Sequence, residues 1–180
     1  MKYFRMIAIA LLVLLVFRPA KAEIIDSTAN GFTVRVHVTI AGTPPEHVYL
    51  KMVHDVGMWW NSAHSWSGDA RNLSIDARAG GGFTERLKDG GSVQHMTVVF
   101  ADPGKTLRMS GGLGPLQSLA VIGSMTWSLT KSDGGTDVVF MYAVGGYRPG
   151  GLSGLAAPVN AVLGEQLNRF KAYVEKGSPE

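Results

Sequence analysis

Glu85 is the ionisable residue whose sequence neighbours most clearly favour chemistry. Phe83 and Leu87 flank it at two-residue spacing, and the residues between are polar, so a strand here places the carboxyl group on an apolar face. Burial on such a face predicts a raised pKa, which suits a general acid, a general base or a group that binds a ligand hydroxyl. The competing interpretation is a structural carboxylate that pairs with an arginine or a strand edge.

His95 lies on the strand that returns from a predicted turn at 88–91. A three-residue turn places His95 opposite Glu85 on the same face, whereas a two- or four-residue turn places Gln94 there. One residue of slip exchanges the two faces of a strand, so the sequence leaves both registers open. In the first register Glu85 and His95 form an acid–base dyad. In the second, His95 is a surface histidine.

Three tryptophans, Trp59, Trp60 and Trp66, cluster between the first helices and the next strand. They suit either a cavity mouth that stacks on an apolar ligand or ordinary packing of a short helix on the sheet. Residues that face inward on the predicted strands are further candidates for contact with a ligand. The candidate ligand-binding residues are Trp59, Trp60, Trp66, Phe83, Glu85, His95, Met125, Trp127 and Tyr142.

No residue pattern predicts a metal or a cofactor. His47 and His54 share a helix face, but with His64 they match no recognised ligand spacing, and the chain has no cysteine. The segment 111–116 lacks the lysine of a phosphate-binding loop and is predicted to cover a cavity mouth. No Gly-x-Ser-x-Gly elbow occurs, which disfavours a hydrolase triad.

Residues 1–22 have the three parts of a secretory signal peptide. Lys2 and Arg5 precede an apolar run at 6–17, and a small-x-small site at 20–22 predicts cleavage before Glu23. Retention of the segment as a membrane anchor is the alternative, but a run of twelve apolar residues is short for a span of about twenty. We therefore predict an exported protein, periplasmic or secreted, without a stable membrane anchor after cleavage.

The predicted mature chain, residues 23–180, is close to electrically neutral. Four of the 17 basic residues of the whole chain (Lys2, Arg5, Arg18 and Lys21) and none of the 14 acidic ones lie in the signal, which leaves 13 basic and 14 acidic residues. This balance gives no support to nucleic-acid binding, which needs a basic patch. The length suits one domain with a substantial core.

The order of periodic segments predicts an α+β fold. An alternating strand at 31–40 precedes two short helices, the first opening at Thr43 and Pro44, and alternating runs between residues 73 and 144 bring the sheet to six or seven antiparallel strands. A long amphipathic helix, with Pro158 in its first turn and Gly177 as its cap, closes the chain.

In this order of elements, residues 24–176 resemble the START-like helix-grip superfamily, also called SRPBCC. Local matches are Trp59-Trp60-Asn61, the stretch 81–85 and the turn at 102–108. The resemblance implies a curved antiparallel sheet around the C-terminal helix and a deep apolar cavity between them. Members hold lipids, sterols, polyketides or other hydrophobic molecules, and a minority catalyse reactions.

From these observations we expect an exported protein that holds a hydrophobic small molecule or lipid in an internal cavity. Trp60, Glu85 and His95 are expected to orient the ligand. One alternative is an enzyme of the cyclase/dehydratase kind with Glu85 and His95 as acid and base. Another is an envelope accessory module that binds a protein partner and no ligand. Binding is preferred over catalysis because the resemblance implies that only a minority of members catalyse reactions, although fold alone does not choose among these functions.

Overall fold

The computed structural model describes residues 20–180, so most of the predicted signal peptide lies outside the described residues. Eight antiparallel strands form one open sheet in the order β1-β2-β8-β7-β6-β5-β4-β3. The strands are β1 (Lys21–Ser27), β2 (Gly31–Ala41), β3 (Leu73–Ile75), β4 (Gly82–Arg86), β5 (Ser92–Asp102), β6 (Thr106–Gly111), β7 (Ala120–Ser132) and β8 (Gly135–Tyr147). The helices are α1 (Pro45–His54), α2 (Val56–Trp59) and α3 (Ser153–Lys176). This architecture confirms the predicted α+β helix-grip fold.

Alternation of apolar and polar residues gives the sheet one dry face. On β8 the residues Val138, Phe140, Tyr142 and Val144 are buried, and each residue between them is more exposed. Phe140 pairs with Trp127 of β7 and with Val36 of β2, so the buried positions of three strands meet on one face. The period of two therefore turns sequence alternation into a continuous apolar surface.

Helix α3 packs on that dry face and completes the core. Leu163, Leu167 and Phe170 are at most 2% exposed, and the Phe170 ring lies edge-on to Trp127 at a centroid distance of 6.0 Å. Burial of such side chains contributes about 1.5–3 kcal/mol each. Within residues 20–180, no helix has both the length and the apolar character needed to span a bilayer.

The C-terminal half of α3 is tied to the end of β2 through a buried lysine. The Lys171 ammonium donates to the Thr39 carbonyl and to the Glu175 carboxylate, both at 2.5 Å, and that carboxylate also accepts from the Ala41 amide. The amphipathic pattern predicts that Lys171 faces water, and that prediction is wrong. The stem of the side chain is buried while the charged end finds two acceptors.

The sheet has eight strands rather than the predicted six or seven because it includes β1. This edge strand pairs with β2, with Lys21 opposite His37 and Ala22 opposite Val36. Its sequence does not predict a strand, because most of its residues are exposed and apolar residues do not alternate with polar ones. An edge strand with one neighbour needs no apolar face of its own, which explains the missing pattern.

Both longer helices begin at other residues than predicted. Helix α1 begins at Pro45, and the Thr43 hydroxyl bonds to the Ala41 carbonyl instead of capping the helix. Helix α3 begins at Ser153, which places Pro158 inside the helix rather than in its first turn. Proline lacks an N–H, so the carbonyl four residues earlier has no helical donor from it.

The Tyr142 side chain clamps β8 to the segment that follows β6. Its hydroxyl donates to the Gly111 carbonyl and accepts from the Leu113 amide, each at 3.0 Å. The ring lies over Gly123 of β7, where a Cβ atom would sit 2.3 Å from the ring carbon Cε2. Glycine at position 123 therefore makes the space that the ring occupies.

We expect Gly123→Ala to lower the free energy of unfolding by about 1–3 kcal/mol, since a buried ring cannot yield without losing its hydrogen bonds. Urea denaturation measures the loss. The control is Gly134→Ala, because a Cβ there meets nothing within 4 Å, and its effect should stay within about 0.5 kcal/mol. Equal stabilities of the two variants would contradict the packing role of Gly123.

Candidate functional site

A cavity of about 380 Å³ lies between the dry face of the sheet and α3. Most of its wall is apolar, and the polar side chains in it are few. The lining residues are Trp60, Ala63, His64, Ser65, Trp66, Leu73, Phe83, His95, Leu113, Gly114, Pro115, Leu116, Tyr142, Leu155, Pro158, Val159, Val162 and Leu163. The segment predicted to cover a cavity mouth, 111–116, supplies four of them.

A β-bulge and an unexpected register bring His95 to the inner face. Glu85 pairs with Val93, so neither of the two registers considered from the sequence is the one observed. The strand keeps its alternation from Val93 to His95, which puts His95 on the same face as Glu85 and diagonal to it. The pairing then shifts, and His95 and Met96 are both buried although they are adjacent in sequence.

The structure brings Glu85 and His95 into direct contact. The His95 Nε2 atom lies 3.0 Å from a Glu85 carboxylate oxygen, and the side chains are 4% and 0% exposed. The same carboxylate accepts from the Trp66 amide at 3.1 Å and from the Ser67 amide at 2.6 Å. Glu85 therefore joins the strand pair β4–β5 to the loop that carries Trp66.

Glu85 is held as a carboxylate. Burial by itself raises the pKa of Glu85, but hydrogen bonds from Ser67, Trp66 and His95 outweigh it and leave the pKa below its ordinary value. The prediction of a raised pKa is wrong for this reason. An apolar face was visible in the sequence, whereas the two backbone donors come from a loop about twenty residues away.

His95 is neutral, and its tautomer follows from its partner. Burial lowers the pKa of His95, and the opposing attraction of Glu85 does not restore it. An ionised carboxylate only accepts hydrogen bonds, so the proton of the neutral ring sits on Nε2 and is donated to Glu85. The Nδ1 atom is then a bare acceptor, and it has no hydrogen-bond partner among the described residues.

Tyr142 lines the cavity but its hydroxyl is already committed. Both of its hydrogen bonds go to backbone groups of the 111–113 segment, and burial raises the pKa of the phenol to about 12. A phenol in this state is a poor proton donor at neutral pH. Tyr142 therefore contributes ring surface and rigidity to the site.

The three tryptophans have different environments. Trp60 lines the cavity and packs edge-on against Phe83, while its indole N–H donates to the His64 carbonyl at 2.9 Å. Trp66 also lines the cavity and is 55% exposed, as a residue at the mouth should be. Trp59 is 1% exposed and does not line the cavity.

Two further candidates, Met125 and Trp127, lie in the packed core and do not line the cavity. The Trp127 ring packs between Phe140, Phe170 and Trp59 at centroid distances of 4.8–6.0 Å. Inward orientation on β7 was visible in the sequence. The placement of α3 decides which part of the inner face is filled by side chains and which part stays open. The alternation pattern of the strands does not predict that placement.

The sequence model of the polyketide cyclase/dehydrase and lipid transport family matches residues 31–175. The chain belongs to this family. The match confirms the superfamily resemblance that the local motifs predicted. No curated protein matches the sequence.

Solved structures share the fold of this chain at low identity. A conserved protein of unknown function, EF2215 from Enterococcus faecalis, is 15% identical with a TM-score of 0.62, over 87% of this chain and 78% of its own. CalU16 from Micromonospora echinospora is 13% identical with a TM-score of 0.58, over 91% and 88%. DynU16, a protein of the dynemicin biosynthetic locus, is 21% identical with a TM-score of 0.56, over 82% and 48%. At these identities the likeness concerns the fold alone.

A second histidine–carboxylate pair lies at the rim of the cavity, and no sequence pattern predicted it. The His64 Nε2 atom is 3.2 Å from a Glu165 carboxylate oxygen, and the Asn61 amide group donates to the other oxygen. The hydrogen bond from Asn61 lowers the pKa of Glu165, against the effect of burial and with the help of His64. Helix periodicity places Glu165 toward water, and its partners come from a loop over a hundred residues earlier.

Across residues 20–180, no three histidine, aspartate or glutamate side chains are grouped so that they could hold a metal ion. The histidine–carboxylate pairs at the cavity, Glu85 with His95 and Glu165 with His64, each contain one histidine and one acid, and the Asn61 amide group bonds to the second of them. The arrangement at Glu85 and His95 instead suits hydrogen bonding to a ligand or removal of a proton.

The neutral state of His95 predicts how stability depends on pH. The folded-state pKa of His95 lies below its ordinary value of 6.5, so the unfolded chain takes up the proton first as the pH falls, and the folded state loses stability. His95→Gln keeps an N–H donor for Glu85 but does not titrate. We therefore expect the stability difference between wild type and this variant to shrink between about pH 7.5 and pH 5.

Urea denaturation at a series of pH values measures this difference. Both proteins share every other ionisable group, so the titration of the remaining histidines contributes equally to both and cancels in the difference. A difference that stays constant, or that grows as the pH falls, would mean that His95 is not held neutral by folding.

Proposed function

We propose that the protein binds an apolar small molecule or lipid in the cavity beneath α3. The observation that carries this proposal is a largely apolar cavity of about 380 Å³ in an otherwise packed core. Volumes of this size are typical of sites that bury most of a small ligand, and close packing normally fills such space. The family description, which includes lipid transport, supports the same function.

We further propose that the protein acts outside the cytoplasm, in the periplasm or as a secreted protein. The support is the signal-peptide pattern of residues 1–22. Cleavage before Glu23 would remove Lys21 and Ala22 from β1 and leave Glu23 to Ser27 paired with β2. An exported carrier of this kind would keep its ligand away from water during transit.

A cyclase- or dehydratase-like activity is the second candidate, and the contact between Glu85 and His95 favours it. A neutral histidine whose Nε2 proton is held by a carboxylate has the arrangement of a general base. The family description includes cyclases and dehydrases. For a protein-binding module without a ligand, the open cavity offers no support.

The binding proposal predicts that filling the cavity abolishes uptake of an apolar probe. Val159 of α3 lines the cavity, and Val159→Trp places an indole in the space that a ligand would use. We expect the affinity for N-phenyl-1-naphthylamine, measured by its fluorescence, to fall by at least about tenfold. Ala161→Trp, at an exposed position of the same helix, is the matched control and should leave the affinity unchanged.

Native mass spectrometry of the chain purified from its own envelope, followed by organic extraction, tests carriage directly. A stoichiometric apolar molecule that is lost in Val159→Trp and kept in Ala161→Trp is the expected result. A bare wild-type chain would contradict tight carriage, and probe binding that survives Val159→Trp would place the probe outside the cavity.

A further inference from the structure

One buried acceptor in the cavity wall has no hydrogen-bond partner. His95 is 4% exposed and lines the cavity, and its Nδ1 atom has no partner among the described residues. A buried acceptor without a partner is costly, so such atoms in native proteins usually have a specific role. A donor group on a bound molecule would supply the missing partner.

The other buried polar groups of the wall are already satisfied within the protein. The Tyr142 hydroxyl bonds to two backbone groups, and the Trp60 indole N–H donates to the His64 carbonyl. The Ser65 hydroxyl, nearer the rim, donates to the Ser62 carbonyl. Among the buried side-chain polar groups of the described wall, His95 Nδ1 is therefore the one that lacks a partner.

The charges around the cavity disfavour an anionic ligand group near His95. No lysine or arginine is among the lining residues, so a carboxylate or phosphate would find no cation there. Behind His95 stands the Glu85 carboxylate, 3.0 Å from Nε2. Burial of a second negative charge close to it would be opposed by both desolvation and repulsion.

We propose that the ligand is an apolar, neutral molecule that carries a hydroxyl group, and that His95 Nδ1 accepts the hydrogen bond from that hydroxyl. The inference rests on the proposed binding function and narrows its ligand class to alcohols or phenols. Glu85 is the positioning residue, since it keeps the proton on Nε2 and leaves Nδ1 free to accept. Phe83, whose ring centroid is 5.1 Å from that of His95, offers aromatic surface to the ligand body beside the hydroxyl.

Three probes with one naphthalene body test this inference. They are 1-naphthol, which donates a hydrogen bond, 1-methoxynaphthalene, which only accepts, and 1-naphthoate, which is an anion. Isothermal titration at neutral pH uses the protein purified from its host and stripped of copurified apolar molecules on a hydrophobic resin. We expect 1-naphthol to bind at least about tenfold more tightly than 1-methoxynaphthalene, and 1-naphthoate to bind most weakly.

Two variants separate recognition by His95 from general burial. His95→Phe removes the acceptor and keeps a ring, so naphthol and methoxynaphthalene should bind within about twofold of each other. In Glu85→Gln the new amide can donate to Nε2, so the ring proton moves to Nδ1. The ratio of the affinities for naphthol and methoxynaphthalene should therefore fall, and methoxynaphthalene should bind more tightly than it does to wild type. Circular dichroism checks that each variant is folded. If a variant does not fold, the relative affinities of wild type for the three probes still test the inference.

The outcomes distinguish the inference from the function on which it rests. Equal affinities of wild type for naphthol and methoxynaphthalene, or tightest binding of naphthoate, would overturn the hydroxyl inference and leave cavity binding intact. A preference for naphthol that persists unchanged in a folded His95→Phe variant would also overturn it. Failure of all three probes to bind would contradict the binding function itself.

Discussion

A buried carboxylate is the constraint on which the site depends. Glu85 is 1% exposed on the inner face of the sheet, and an ionised group there is tolerated only if donors surround it. Two backbone amides and the His95 ring supply those donors. The requirement fixes the conformation of the loop at Trp66 and Ser67, and it fixes which nitrogen of His95 carries the proton. The Glu85 charge therefore determines both the loop conformation at the cavity mouth and the tautomer of the histidine in the cavity wall.

The strand geometry serves the same constraint. Glu85 and His95 are diagonal neighbours across β4 and β5, at a separation that long side chains can bridge. The bulge that follows turns both His95 and Met96 inward, which adds an apolar side chain beside the polar pair. A regular ladder would have sent one of these two residues to the outer face. The bulge thus lets the sheet keep a histidine in the wall without opening the core below it.

Local periodicity predicted the architecture well and the site only in part. Alternation identified most strands, and the apolar stripe of α3 identified the helix that covers them, because each pattern reports which face of its own element is buried. The candidate residues were found as inward-facing groups, but periodicity could not separate Trp60, in the cavity wall, from Trp127, in the packed core. The ionisation of Glu85 and the partners of Glu165 depend on backbone and amide donors from distant loops. No pattern within a single element contains that information.

The same contacts limit what chemistry the cavity could support. A neutral histidine oriented by a carboxylate can accept a proton, but dehydration and cyclisation also need a group that donates one to the departing or forming oxygen. Tyr142 is the phenol nearest to that role, and its hydroxyl is held by Gly111 and Leu113 with a pKa of about 12. Without those hydrogen bonds, Tyr142 would no longer hold β8 to the segment at the cavity mouth. Within the described cavity wall, the unpartnered Nδ1 atom of His95 is in keeping with the proposed recognition of a hydroxyl group, whereas the Tyr142 hydroxyl is already bound to the backbone.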